Sequence, residues 1–176
     1  MTARLTTLTG MILLAVLSRL IPHPPNATAV AALALFGGAY FNQKRWAFLV
    51  PMAAMLLSDL IIGFHEHVVF VYGSFLVITC IGCWLRERRK PLPIAAASLF
   101  SSTIFFLVTN YGVWLSGTIY PRTVEGLSAC YVAALPFFGY TLAGDAIYSV
   151  ALFGSLFLAN HLSSLRHEVR LAPAAI

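Results

Sequence analysis

The chain has 176 residues, 60% of them hydrophobic and 10% charged, with a mean hydropathy of +0.85. So little charge would not cover the surface of a soluble domain of this length, and the composition marks an all-α integral membrane protein. The formal net charge of +5 does not indicate nucleic-acid binding, because most of the basic residues flank apolar runs, as topology signals do.

A helix needs about 20 apolar residues to cross a bilayer, within a range of about 17–25. Six runs are read as spans: Leu5–Ile21, Ala27–Phe41, Trp46–Ile62, Val68–Leu85, Ile94–Trp114 and Tyr140–Ala159. The first follows Arg4 as a signal peptide would. It lacks a small-x-small cleavage site and more spans follow, so it is read as a retained helix. Pro22, Pro24 and Pro25 end it, since proline lacks the amide hydrogen of a helix interior. The second run is short, and a tilt or local irregularity is expected there. Pro91 and Pro93 separate the fourth and fifth. Leu127–Phe138 reaches only about 18 Å as a helix, short of the roughly 30 Å hydrocarbon core, and contains Pro136. It is read as a separate helix lying on the outer surface or dipping into it. No low-complexity tract or clear internal repeat divides residues 1–176, which form a single domain.

Charge decides the orientation. With six spans, Arg4, Lys44, Arg45, Arg86, Arg88, Arg89, Lys90, Arg166 and Arg170 fall on one side and Arg19 and Arg122 on the other, nine against two. A seventh span would move Arg166 and Arg170 and give seven against four. The positive-inside rule selects six spans with both termini cytoplasmic.

In that orientation Arg19, Asp59, Tyr72, Asn110, Tyr111, Tyr140 and Asp145 gather at similar depth near the outer surface, with His23, Asn26, His65, Glu66, His67, Tyr120 and Tyr131 in or near the outer loops. Polar groups in apolar helices are costly and need a reason. One reason is a ligand site open to the outside. Another is an aromatic belt formed by residues such as Trp114, Tyr120 and Tyr131, with Arg19 locking helices through Asp59 or Asp145. His65-Glu66-His67 reads as a hydrated loop or a surface metal site. Asn26-Ala27-Thr28 matches a glycosylation sequon that carries no information here.

The three cysteines do not form a disulfide framework. Cys80 and Cys83, at i and i+3 on the fourth helix, share roughly one face, with Cys80 a little past the middle of the run. Cys80 would be the floor of an outward-facing pocket. Three readings stay open for it. Buried cysteine acts as a small hydrophobe. A Cys-x-x-Cys pair can be a redox dithiol, although this one lies deep within a helix rather than opening one. A thiolate can also bind a soft or borderline metal. A closed zinc site would need about four ligands, so the metal case points to a metal cofactor that arrives carrying most of its own ligands.

Three stretches carry a resemblance: Met55-Leu-Leu-Ser-Asp-Leu-Ile-Ile-Gly-Phe-His65, Asn110-Tyr-Gly-Val-Trp-Leu115 and Pro136-Phe-Phe-Gly-Tyr-Thr-Leu-Ala-Gly-Asp145. From about Ser18 to Gly154 the chain resembles bacterial six-helix membrane proteins related to the S components of energy-coupling-factor vitamin transporters. Within that group Cys80 matches the BtuM-type vitamin B12 transporters.

The resemblance implies an S-component-like bundle in the bacterial inner membrane that binds and imports cobalamin or a related corrinoid. Cys80 would be the axial thiolate on cobalt. Tyr72, Asn110, Tyr111, Tyr140 and Asp145 would meet the corrin edge, and Arg19 the nucleotide phosphate. Thiol-dependent reductive removal of cyanide from cyanocobalamin at Cys80 is a further expectation of the same reading. The first helix departs from S components that share an energising module, which often carry Ala-xxx-Ala there. Ala15 is its only alanine, and Thr6-xxx-Gly10 is only an echo of the motif. Two rival readings are a membrane thiol oxidoreductase using Cys80 with Cys83, and a structural membrane subunit.

Overall fold

The computed structural model describes residues 2–64 and 66–171, with side chains at 6–64 and 66–162. His65 and the side chains of Arg4, Arg166 and Arg170, invoked above, lie outside the described residues. The described chain is helical: α1 (Thr2–Leu20), α2 (Val30–Tyr40), α3 (Lys44–Ile62), α4 (Val68–Trp84) with a short 3-10 turn at Leu85–Glu87, α5 (Pro91–Ser116) and α6 (Val124–Leu171). Four segments are long and apolar enough to cross a membrane: Lys44–Ile62, Val68–Glu87, Pro91–Ser116 and Val124–Leu162. Thr6–Leu20 and Val30–Tyr40 are apolar but shorter. Large apolar side chains such as Leu60, Ile61, Val69 and Val150 stand exposed on the outside of the bundle, a surface that bilayer tails would cover.

The second helix begins later than its hydropathy indicates. Ala27–Ala29 belong to the irregular segment Ile21–Ala29 rather than to α2. Pro24 and Pro25 hold this segment out of helix, and Asn26 then adopts a left-handed φ of 65°, a conformation asparagine tolerates better than most residues. Ala27 N–H donates to the Pro24 carbonyl at 3.1 Å, closing a turn. The Ala29 amide donates to Ser18 Oγ at 3.0 Å, tying the segment back to α1.

The expected surface helix over Leu127–Phe138 is not a separate element. It is continuous with the final span as part of α6, and Pro136 lies inside that helix. Proline removes one i→i−4 hydrogen bond, but contacts with α5 hold the helix on both sides of it. Tyr131 Oη donates to the Leu107 carbonyl at 2.7 Å, Cys130 Sγ donates to the Asn110 carbonyl at 3.4 Å, and the Phe106 and Phe138 rings lie 4.6 Å apart.

α2 is the centre of the bundle. Val30–Leu35 and Gly37–Ala39 are buried, and the helix touches α3, α4, α5 and α6. Its closest crossing is with α4. A Cβ at Gly38 would stand 2.5 Å from the Thr79 carbonyl oxygen and 2.6 Å from the Cys83 amide nitrogen, and one at Gly82 would meet the Leu35 carbonyl. Small residues let two backbones approach this closely. The exposed carbonyls at the end of α2 are capped from α4's side, where Arg86 donates through Nε to Gly38 O at 2.8 Å and through Nη2 to Phe41 O at 2.7 Å.

Candidate functional site

One cavity, of about 300 Å³, receives side chains from every helix. α1 and the irregular segment supply Arg19, His23, Asn26 and Thr28; α2 supplies Ala31; α3 supplies Met55 and Ile62; α4 supplies Val71 and Phe75; α5 supplies Phe105; α6 supplies Thr141 and Asp145. The irregular segment reaches this depth because Gly144 leaves room for it. A Cβ at Gly144 would stand 2.8 Å from Ala27 Cα. Non-helical backbone is tolerated where it lines a cavity, as Asn26 and Thr28 do.

Arg19 is the anchor of a helix lock. Its Nη2 pairs with Asp59 Oδ1 at 2.6 Å, and its Nη1 donates to Ser58 Oγ at 2.6 Å and to the Met55 carbonyl at 3.3 Å. Asp59 is buried, and its other oxygen accepts from Tyr72 Oη at 2.8 Å. The network joins α1, α3 and α4 and leaves the guanidinium neutralised. Of the two carboxylates offered to Arg19 by the sequence, Asp59 takes the pair.

Asp145 has a different environment. It is 3% exposed, and Ser102 Oγ donates to its Oδ2 at 2.6 Å. Among the described residues no cation pairs with it and Oδ1 accepts no hydrogen bond. Ser102 also lines a larger cleft, about 480 Å³, between α5 and α6. That cleft is walled by apolar groups and three serines. Two of them, Ser98 and Ser149, lie 3.3 Å apart and bond each other. It receives side chains from two helices only, so it is the weaker candidate although it is larger.

The cavity therefore unites Arg19 and Asp145 from the expected site, and Tyr72 joins through Asp59. The others lie elsewhere. Asn110 Nδ2 donates to the Phe106 carbonyl of its own helix at 2.8 Å. Tyr111 is exposed and packs against Phe70 and Trp114. Tyr140 is exposed. The expectation that Cys80 forms a pocket floor is corrected by α4: Cys80 is exposed, in a stripe with Leu76, Val77 and Trp84, whereas Ser74, Phe75, Ile78, Thr79 and Gly82 face inward. At about 100° per residue, Cys80 is turned roughly 140° from Phe75 and 180° from Val71, the two α4 residues that line the cavity. Cys83 is half-buried, and Cys130 is buried against α5.

Sequence reading undervalued Thr28, Phe105 and Thr141. A signal exists for Thr28 alone: it follows a Pro-rich break between two short apolar helices, where unwound backbone forms a ligand site. Among the described residues no three His, Cys, Asp or Glu side chains converge to hold a metal ion.

The chain matches the family described as "Family of unknown function (DUF6580)" over residues 1–167, and it belongs to that family. No curated protein and no solved structure matches it.

Proposed function

We propose that this DUF6580 member captures a small solute in the six-helix cavity and passes it across the bilayer, in the manner of a transporter's substrate-binding subunit. The observation that carries this reading is the convergence of all six helices, and of an unwound segment, on one half-polar cavity. Six spans with cytoplasmic termini are supported by the nine-to-two partition of basic residues, and a bacterial inner membrane by the resemblance. α1 and α2 are apolar but short for a span, and the segment that joins them is exposed from Ile21 to Asn26 and turns inward only at Ala29. In this topology the cavity opens outward, since Arg19 and Ile62 sit at the C-terminal ends of the outward-running α1 and α3 and Val71 near the N-terminal end of the inward-running α4. Ala15 is buried and Gly10 faces open space, so among its described side chains α1 offers no exposed alanine to an energising module.

Cobalamin is the solute implied by the resemblance. The cavity offers it no cysteine thiolate, its sulfur being the Met55 thioether that meets Arg19, and a corrin with its side chains is far larger than about 300 Å³. We therefore favour a smaller solute, with no cobalt bond and no decyanation at Cys80. Protein purified from cells fed hydroxocobalamin is expected to be colourless. A red protein whose colour is lost in Cys80→Ala would restore the thiolate–cobalt reading.

The capture reading is tested by filling the cavity. Ala31 sits on the cavity wall, so Ala31→Phe projects a ring into the empty space. Native mass spectrometry is expected to find a small bound mass on the parent protein and none on a folded Ala31→Phe variant. Retention of the same mass by the variant would remove the cavity from the function.

A further inference from the structure

The charges around the cavity do not balance. Arg19 already has Asp59 at 2.6 Å and further acceptors on α3, so it has little to offer an anionic solute. Asp145 has only the neutral Ser102 hydroxyl, while its second oxygen is left without a hydrogen bond among the described residues. A buried carboxylate with no cation is costly, and the cost is relieved either by protonation or by a ligand that brings the missing cation. His23 is exposed, and its ring nitrogens lie against the carbonyls of Pro24 and Arg19 at 2.7 and 3.3 Å, not against Asp145. The wall also carries Phe75 and Phe105, with ring centroids 5.4 Å apart. Aromatic faces beside a carboxylate attract cations through the ring quadrupole.

We infer that the solute is a small organic ammonium ion, held by Asp145 with Phe75 and Phe105 around its charged head. Thr141 and the Asn26–Thr28 segment remain for the solute's polar groups. This inference rests on the cavity being the place of capture.

Three probes of similar shape separate the charge classes: phenethylammonium, 2-phenylethanol and phenylacetate. Each is titrated by calorimetry into the full chain in lipid nanodiscs. The ammonium is expected to bind at least about tenfold more tightly than the other two, a difference of about 1.4 kcal/mol. Asp145→Asn is expected to erase that preference by weakening ammonium binding at least about tenfold relative to 2-phenylethanol. Equal binding of all three, preference for phenylacetate, absence of ammonium binding, or an ammonium preference that survives in folded Asp145→Asn would each overturn the assignment. The parent comparison alone decides if the variant does not fold. Ala31→Phe separates the two levels. If it abolishes binding that showed no charge preference, the cation assignment fails and capture in the cavity stands. If binding survives it unchanged, the cavity reading itself fails.

Discussion

Asp59→Ala is expected to be among the most damaging single substitutions in the chain, costing about 3–5 kcal/mol, because it strands the Arg19 guanidinium beside α3 without its counter-charge. Tyr72 loses its acceptor in the same step. For a chain of this length the loss corresponds to a fall in Tm of about 6–20 °C. The check is thermal unfolding of purified protein followed by intrinsic fluorescence. An apolar replacement of both partners, Arg19→Met with Asp59→Leu, is expected to recover most of the loss, since a buried ion pair exchanged for well-packed apolar groups is often neutral or better. Parent-like stability in Asp59→Ala would show that the pair does not lock α1 to α3.

Gly38→Ala is the second large effect. The added methyl meets Thr79 O and Cys83 N at 2.5 and 2.6 Å, and both atoms belong to a helix backbone that cannot swing aside. Overpacking of this kind costs about 1–3 kcal/mol or more. Gly82→Ala presses on the same crossing from the other helix, towards the Leu35 carbonyl. Each substitution separates α2 from α4, so the double variant is expected to lose clearly less than the sum of the singles. Tm values for the three variants test this, and full additivity would mean that the two glycines do not share one contact.

Apolar runs and prolines made α3 and α4 legible in the sequence to within a residue or two: Trp46–Ile62 against Lys44–Ile62, and Val68–Leu85 against Val68–Trp84. The start of α2 was not legible. Ala27–Ala29 contains no glycine or proline to set it apart from the helix it precedes, and its irregularity comes from Asn26 and the packing of Ala27 on Gly144. Nor could the union of Leu127–Phe138 with the last span be read, because what carries the helix through Pro136 is its contact with Leu107, Asn110 and Phe106.

At the site, Arg19 and Asp145 were visible as costly groups in apolar runs. Which carboxylate would meet Arg19 was not, since Asp59 and Asp145 lie at similar depth in the proposed topology. Cys80 shows the sharper limit. α4 is apolar on every side, so no polar face reveals its rotation, and an inward Ile78 and an outward Val77 look alike in sequence. Rotation about that helix axis is what separates a cavity wall from a lipid-facing stripe.

The brevity of α2 has a consequence for synthesis. Val30–Tyr40 rises only about 16 Å, so an insertion machine reading hydrophobic length would find no self-sufficient stop there. Its neighbours α3 and α4 emerge from the ribosome afterwards, and Arg86, which caps its terminal carbonyls, emerges later still. The nascent α1–α2 hairpin must therefore wait, incompletely satisfied, until about half the protein has been translated.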